Sequence, residues 1–457
     1  MWITIFSLLS MFPIFFVINK LQKRKDLNAF DLFLCFQTLY LVIIPLTGDV
    51  KDIMYTVVRN DFSTQFGTFL QINLFLYSIL LIDVYYTKHK KRKSLLDITL
   101  RIKEWGNKYV LNDNIYLLVF LIIIICIGDL LSSYMAGNNV MTIQESRDLA
   151  KMNNTTRNLM FDGIIAFLRP FLAFILTSIA IQKKRPLKSV LFVLSVIASG
   201  IVLMLGSRTW LFEFLAMTFL VYYSHHKNHL TNKIIIRWGI ILVSVLVLLF
   251  PVISAIKFGK VVVGRQMLTD SNPIEVLSAT IDYVTKNNDN IESFDNKNQR
   301  KWNVYQIIGL SVSSEYQGNG ELTLKSLSYQ MPRFIFPDKD MEGSQIAIEK
   351  GLKVYNDVAD SILLFGITEN RYIGFIISTM AVLMIFLSYN FIYLFLNNKQ
   401  RSPFVYPFIL SSFFIVLDQP EWSVDRFFTS IIYVVGGCII IITLSKVMPA
   451  KRLRFCR

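Results

Sequence analysis

Three features of this 457-residue chain predict an all-α polytopic membrane protein with about eleven transmembrane helices and one large, partly helical extracytoplasmic loop. Hydrophobic residues make up 53% of it and charged residues only 17%, in apolar runs close to the roughly 20 residues a helix needs to cross a hydrocarbon core. The runs are continuous rather than alternating, which argues for helices that satisfy their own backbone in lipid and against a barrel. Basic residues gather on alternate connections, and that pattern orients the bundle.

Trp2 to Ile18 is the first span, with Lys20, Lys23, Arg24 and Lys25 after it and no basic region ahead of it. This charge order predicts a retained span with its N-terminus outside, not a cleaved leader. Ala29 to Leu46 comes back out, and Gly67 to Tyr86 returns to the densest basic cluster, Lys88, Lys90, Lys91, Arg92 and Lys93. Leu95, Leu96, Ile98, Ile102 and Trp105 then recur at helical spacing among basic residues, which predicts an amphipathic helix lying on anionic lipid. Ile115 to Tyr134 goes out, Leu159 to Ile181 returns, and Ser189 to Gly206 goes out again. Trp210 to Tyr223 comes back after the tight hairpin Gly206-Ser207-Arg208-Thr209, and Ile240 to Ile256 leads to the long loop. Beyond the loop, Tyr372 to Leu396, Pro403 to Leu417 and Phe427 to Leu444 complete the set. Residues 1–256 thus carry spans one to eight, 257–360 the extracytoplasmic loop, and 361–457 spans nine to eleven with a basic cytoplasmic tail.

The net charge of +15 is placed in a way that excludes a nucleic-acid partner. Within 257–360, fourteen Asp and Glu outnumber twelve Lys and Arg, so the excess sits at the membrane flanks, as the positive-inside pattern requires. Cys35, Cys126 and Cys438 fall within spans and Cys456 in the tail, so no extracytoplasmic disulfide is expected, and no CxxC metal spacing occurs. No metal or cofactor is expected. Matching pairs of broken helices, the mark of many transporters, are not evident.

The loop itself should fold. Asn272-Pro273 ahead of Ile274, Val276, Leu277, Ile281 and Val284 predicts a capped helix, and Lys301 to Val312 and Gln345 to Tyr355 two more.

Ionisable residues in the outer halves of spans mark candidate sites, because burying a charge in lipid is costly. Asp129 and Arg169 lie at similar depths on consecutive spans, where a structural ion pair explains them as well as function does. Glu213 is a helix–helix polar contact or a catalytic carboxylate. Arg208 opens a span at a helix N-terminus, where guanidinium and helix dipole together favour phosphate; an ordinary interfacial arginine is the plain alternative. Gly264-Arg265 alone reads equally as a solvated turn. Arg333 and Lys339 are held by Pro332 and Pro337, whose fixed backbone angles stiffen an aromatic-rich segment into a ligand-binding element.

The segment Ser326-Leu327-Ser328-Tyr329-Gln330-Met331-Pro332-Arg333-Phe334-Ile335-Phe336-Pro337-Asp338-Lys339 resembles the PR-x-x-x-PDK signature of Wzy-type oligosaccharide repeat-unit polymerases. The Gly206-Ser207-Arg208 hairpin, and Phe365-Gly366 with Gly374 at the entrance to the ninth span, resemble the same family over roughly Gly200 to Leu396. Asp340 stands where the family usually has proline, and its acidic position before the ninth span falls on either Asp360 or Glu369. The resemblance implies a GT-C-like membrane glycosyltransferase, at work on the outer face of the bacterial cytoplasmic membrane. It would transfer a growing glycan from undecaprenyl diphosphate to the terminal sugar hydroxyl of the next lipid-linked repeat unit, in O-antigen or capsule synthesis. Arg208, Arg265, Arg333 and Lys339 would then bind the diphosphate, and Asp360, Glu369 and Glu213 compete as general base. Partners implied by the family are membrane lipids, a chain-length regulator and a flippase.

Two rivals share parts of this description. An O-antigen ligase carries a histidine in its large outer loop, whereas His89, His225, His226 and His229 are all expected on the cytoplasmic side. A lipid-linked oligosaccharide flippase or transporter would have short loops without a folded outer domain, and a non-enzymatic scaffold would not need the three arginines.

Overall fold

Apolar runs fold as helices wherever the computed structural model describes them, namely residues 2–43, 62–89, 94–109, 171 and 173–178, 208–228, 312, 316–330, 361–399, 405–418 and 424–447. Among these residues there are helices and turns and no strand. The α-helices are α1 (Trp2–Gln22), α2 (Ala29–Thr38), α3 (Phe62–His89), α4 (Ile98–Tyr109), α5 (Arg208–His226), α6 (Glu321–Gln330), α7 (Ile362–Glu369), α8 (Gly374–Lys399), α9 (Val405–Asp418) and α10 (Val424–Val447). Seven of the eleven expected spans coincide with a helix of this set. The runs at 115–134, 189–206 and 240–256 lie outside the described residues, as do the loop helices expected at 272–284 and 345–355. Within 301–312 only Val312 is described, and it is helical.

Helices α3 and α8 are long and apolar enough to cross a membrane, and shorter apolar helices cover Leu8–Gln22, Ala29–Val42, Val405–Leu417 and Ser430–Thr443. Helix α8 turns Met380, Met384, Leu387 and Phe391 outward, each 58–68% exposed, in one stripe at helical spacing. Large apolar patches of this kind suit contact with lipid or another chain. The architecture is consistent with a helical membrane protein.

Two compact units make up the chain, one of residues 1–101 and 299–438, the other of 102–298 and 439–457. In the first, α2 packs with α8 and α9 through aromatic rings. Phe386 of α8 meets Phe30 at 5.0 Å, Phe33 at 5.7 Å and Phe413 at 5.1 Å, and all four rings are buried. Helix α2 passes at Leu39–Ile43 into a π-helical turn, and the rest of the expected span, to Leu46, lies outside the described residues.

Helix α4 forms where its spacing predicts, but its apolar face is not laid on lipid. Leu95, Leu96, Ile98, Ile102 and Trp105 are all buried within the protein. The segment leading into α4 is tied down by backbone bonds from Ala29 N to Leu96 O (2.9 Å) and from Thr99 N to Leu27 O (3.3 Å). Leu95 N also donates to Asn390 Oδ1 of α8 at 2.9 Å. The amphipathic pattern is thus used to strap helix ends together. In the second unit, Trp105 packs against Phe174 at 4.9 Å.

Helix α7 is a short, wholly buried helix folded back along α8. Ser361 caps it by accepting from Leu364 N at 3.0 Å. Two glycines permit the close approach: a Cβ on Gly374 would sit 2.6 Å from Ile367 Cα, and one on Gly366 would collide with Ser378 Oγ and Gly374 O. Ser378 Oγ sits between the helices, within reach of Ile362 O at 2.9 Å and Gly374 O at 2.8 Å. The pairing of Gly366 with Gly374, visible in the sequence, is therefore a packing requirement.

Candidate functional site

Glu369 is the last residue of α7 and only 2% exposed. Its carboxylate reaches across to the start of α6, where two backbone amides of the first turn lack helical partners. Oε2 accepts from Gly320 N at 2.7 Å, while Oε1 accepts from Thr323 N at 2.5 Å and from the Thr323 hydroxyl. The exchange is reciprocal. Gly318 N donates to Thr368 O at 2.9 Å and Asn319 N to Glu369 O at 3.0 Å, filling carbonyls that the end of α7 leaves open. The C-terminal end of one helix dipole thus meets the N-terminal end of the other.

The connecting turn needs its glycines. Gly320 has φ +96, and a Cβ on Gly318 would lie 2.5 Å from Glu369 Oε2 and 2.8 Å from Leu322 Cγ. Asn319, at φ 47, also takes the left-handed conformation that asparagine tolerates. Tyr316 precedes this turn, and burial pushes its phenol up, with Glu321 and Glu369 adding to the effect. Helix α6 ends at Gln330, so the segment Met331-Pro332-Arg333 follows directly from an anchored helix.

The foot of α8 is pinned to α3. Gln71 Nε2 donates to Arg371 O at 2.7 Å and Gln71 Oε1 accepts from Phe375 N at 3.1 Å. Asn370 Oδ1 accepts from Tyr372 N at 3.0 Å and Ile373 N at 3.4 Å.

Of the other candidate residues, Arg208 is the first residue of α5, and Gly206 and Ser207 of the expected hairpin lie outside the described residues. Glu213 lies in the same helix. Asp360, Arg265, Arg333, Lys339, Asp129 and Arg169 lie outside the described residues. No group of three or more histidine, cysteine, aspartate or glutamate side chains able to hold a metal occurs among the described residues.

A charged cluster that the sequence reading passed over joins α1, α2 and α3. Lys20 Nζ donates to Asp31 Oδ1 at 2.7 Å and Asp83 Oδ2 at 2.6 Å, and it lies 5.0 Å from the centre of the Phe16 ring. Asp31 Oδ2 accepts from Asn28 N at 2.9 Å and Asn28 Oδ1 from Asp31 N at 3.0 Å, a capping box at the start of α2. Asp83 Oδ1 accepts from Asn28 Nδ2 and from Thr87 Oγ1 at 3.3 Å. The carboxylate oxygens all have partners and both aspartates are fully buried, so the cluster is a clamp rather than an open site. A lysine closing one span and aspartates within the next two are its sequence signal.

Neither family models, nor curated proteins, nor solved structures yield a match to this chain.

Proposed function

We propose that this chain is a polysaccharide polymerase of eleven spans, N-terminus outside and C-terminus cytoplasmic, in the bacterial cytoplasmic membrane. It joins undecaprenyl-diphosphate-linked oligosaccharide repeat units on the outer face. The observation that carries this reading is the junction at Glu369: the helix leading into the Pro332-Arg333 signature is fastened by its N-terminus to the end of α7, just ahead of α8. A stiff cationic segment that leaves from a fixed point beside the membrane mouth can meet a diphosphate held at headgroup depth.

In the reaction, the acceptor sugar hydroxyl attacks the anomeric carbon of the donor glycan. The bond from that carbon to the diphosphate oxygen breaks, and undecaprenyl diphosphate leaves with the electron pair. Arg333, Lys339, Arg208 and Arg265 stabilise the charge that develops on it. A carboxylate takes the hydroxyl proton. Glu369 is the poorest of the three candidates, because three donors already engage its oxygens and it is buried against α6. Asp360, which immediately precedes the Ser361 cap of α7, and Glu213 remain for the role.

Arg333→Ala tests this in cells through the lipid-linked glycan pool. Single repeat units should accumulate on lipid while the protein level holds. Polymer of normal length, or full-length polymer stranded on lipid, would sink the polymerase reading; the second result would indicate ligation.

A further inference from the structure

Arg371 stands between the buried anchor at Glu369 and Tyr372, which is 68% exposed. Its backbone is immobilised on both sides, by Gln71 at its carbonyl and by Asn370 at the two amides that follow. Its guanidinium rests 4.8 Å from the centre of the Tyr372 ring, and Nη2 donates to the Tyr372 hydroxyl at 2.8 Å. That uses one of the five N–H donors a guanidinium carries. Nε is buried and donates to nothing, and Arg371 meets no carboxylate among the described residues. Glu369, the nearest acid in sequence, is committed to α6. A half-buried, backbone-fixed cation without a counter-charge is costly unless an anion completes it.

The surroundings indicate the class of anion. Tyr372 and Ile373 are exposed at the start of a membrane-length apolar helix, the position of an interfacial aromatic belt. At that depth the abundant anions are phosphate esters, and the planar fork of arginine fits phosphate oxygens in pairs. We propose that Arg371 is a phosphate-binding residue at the mouth of α8 that grips the diphosphate of a polyprenyl-linked donor. The assignment of the donor rests on the polymerase reading; the phosphate chemistry rests on the geometry alone. A glycerophospholipid headgroup offers the same chemistry and is the other source to be distinguished.

The test uses the full-length chain in phosphatidylcholine nanodiscs, titrated with farnesyl diphosphate and, separately, compared in discs containing phosphatidylglycerol. Wild type, Arg371→Gln and Arg371→Lys are measured, with thermal unfolding as a check that each variant is folded. Loss of a charge-assisted contact should weaken farnesyl diphosphate binding about 10- to 100-fold in Arg371→Gln. Arg371→Lys keeps the charge without the fork, so it should lie between the other two, with phosphatidylglycerol binding unchanged in all three. Loss of phosphatidylglycerol binding alone would support the phosphate site and overturn the diphosphate donor as its occupant. Equal binding by all three proteins, or no binding of either probe by the wild type, would overturn the proposal. The assay needs no glycan acceptor. A chain that binds farnesyl diphosphate through Arg371, yet causes no build-up of single repeat units when deleted, would keep the site and lose the polymerase reading.

Discussion

Replacing Glu369 with glutamine keeps the side-chain shape and removes one of the two acceptor oxygens at the start of α6. Whichever way the amide turns, either Gly320 N–H or the Thr323 pair faces an NH2 group instead of an oxygen. Hydrogen bonds to a charged partner contribute roughly 1.5–3 kcal/mol each, so local opening of α6 should become easier by about 2 kcal/mol. Glu369→Ala loses every bond and leaves first-turn amides without an acceptor in a part-buried setting, for about 3–5 kcal/mol. Hydrogen exchange across Gly320 to Lys325, measured on the full chain in nanodiscs, reads this directly. About 2 kcal/mol corresponds to ~30-fold faster exchange of these amides in Glu369→Gln, and Glu369→Ala should exchange faster still. A general base would behave differently, with turnover abolished and exchange unchanged. Exchange rates within twofold of wild type in both variants would therefore refute the anchoring role and return Glu369 to the catalytic candidates.

Two further outcomes follow from described contacts. Lys20→Met leaves Asp31 and Asp83 facing each other without their shared ammonium, and should destabilise the α1–α2–α3 end by about 3–5 kcal/mol. The triple variant with Asp31→Asn and Asp83→Asn should recover most of it in thermal unfolding; a Lys20→Met protein of wild-type stability would contradict the clamp. His225, just beyond the apolar part of α5, is pushed down to about 4, mainly by burial, with His226 and Lys103 adding to it. Its neutral form is favoured in the fold, so its contribution is intact above the ordinary histidine value near 6.5 and fades as pH falls from there toward 4. Thermal midpoints between pH 4 and pH 8 should fall on the acid side, and His225→Gln should flatten that slope; an unchanged slope would count against it.

The helices that carry continuous apolar runs were legible because length and hydropathy alone specify them, as at Tyr372 to Leu396, where α8 covers Gly374–Lys399. Helix α6 was not. Among its residues with described burial, Leu322 is buried while Leu324 is 70% exposed, so its first turns show no apolar stripe. What starts it is a carboxylate 46 residues further on, reaching Thr323, and no local pattern announces that. The apolar face of α4 was readable, but periodicity cannot say whether lipid or protein covers it. The diphosphate candidates were named from turn chemistry and family resemblance. Arg371 was passed over because it lies at a helix entrance, where a cation looks ordinary until it is seen to meet no carboxylate among the described residues.

The clamp at Lys20 also bears on how the chain enters a membrane. Lys20 and Asp83 are 63 residues apart, so α1 and α2 emerge from the ribosome well before the second aspartate exists. In the proposed membrane topology Lys20 can pair with Asp31 as soon as α1 and α2 are made, and its second bond, to Asp83, waits for α3. The clamp is therefore complete only once the first three helices are all present.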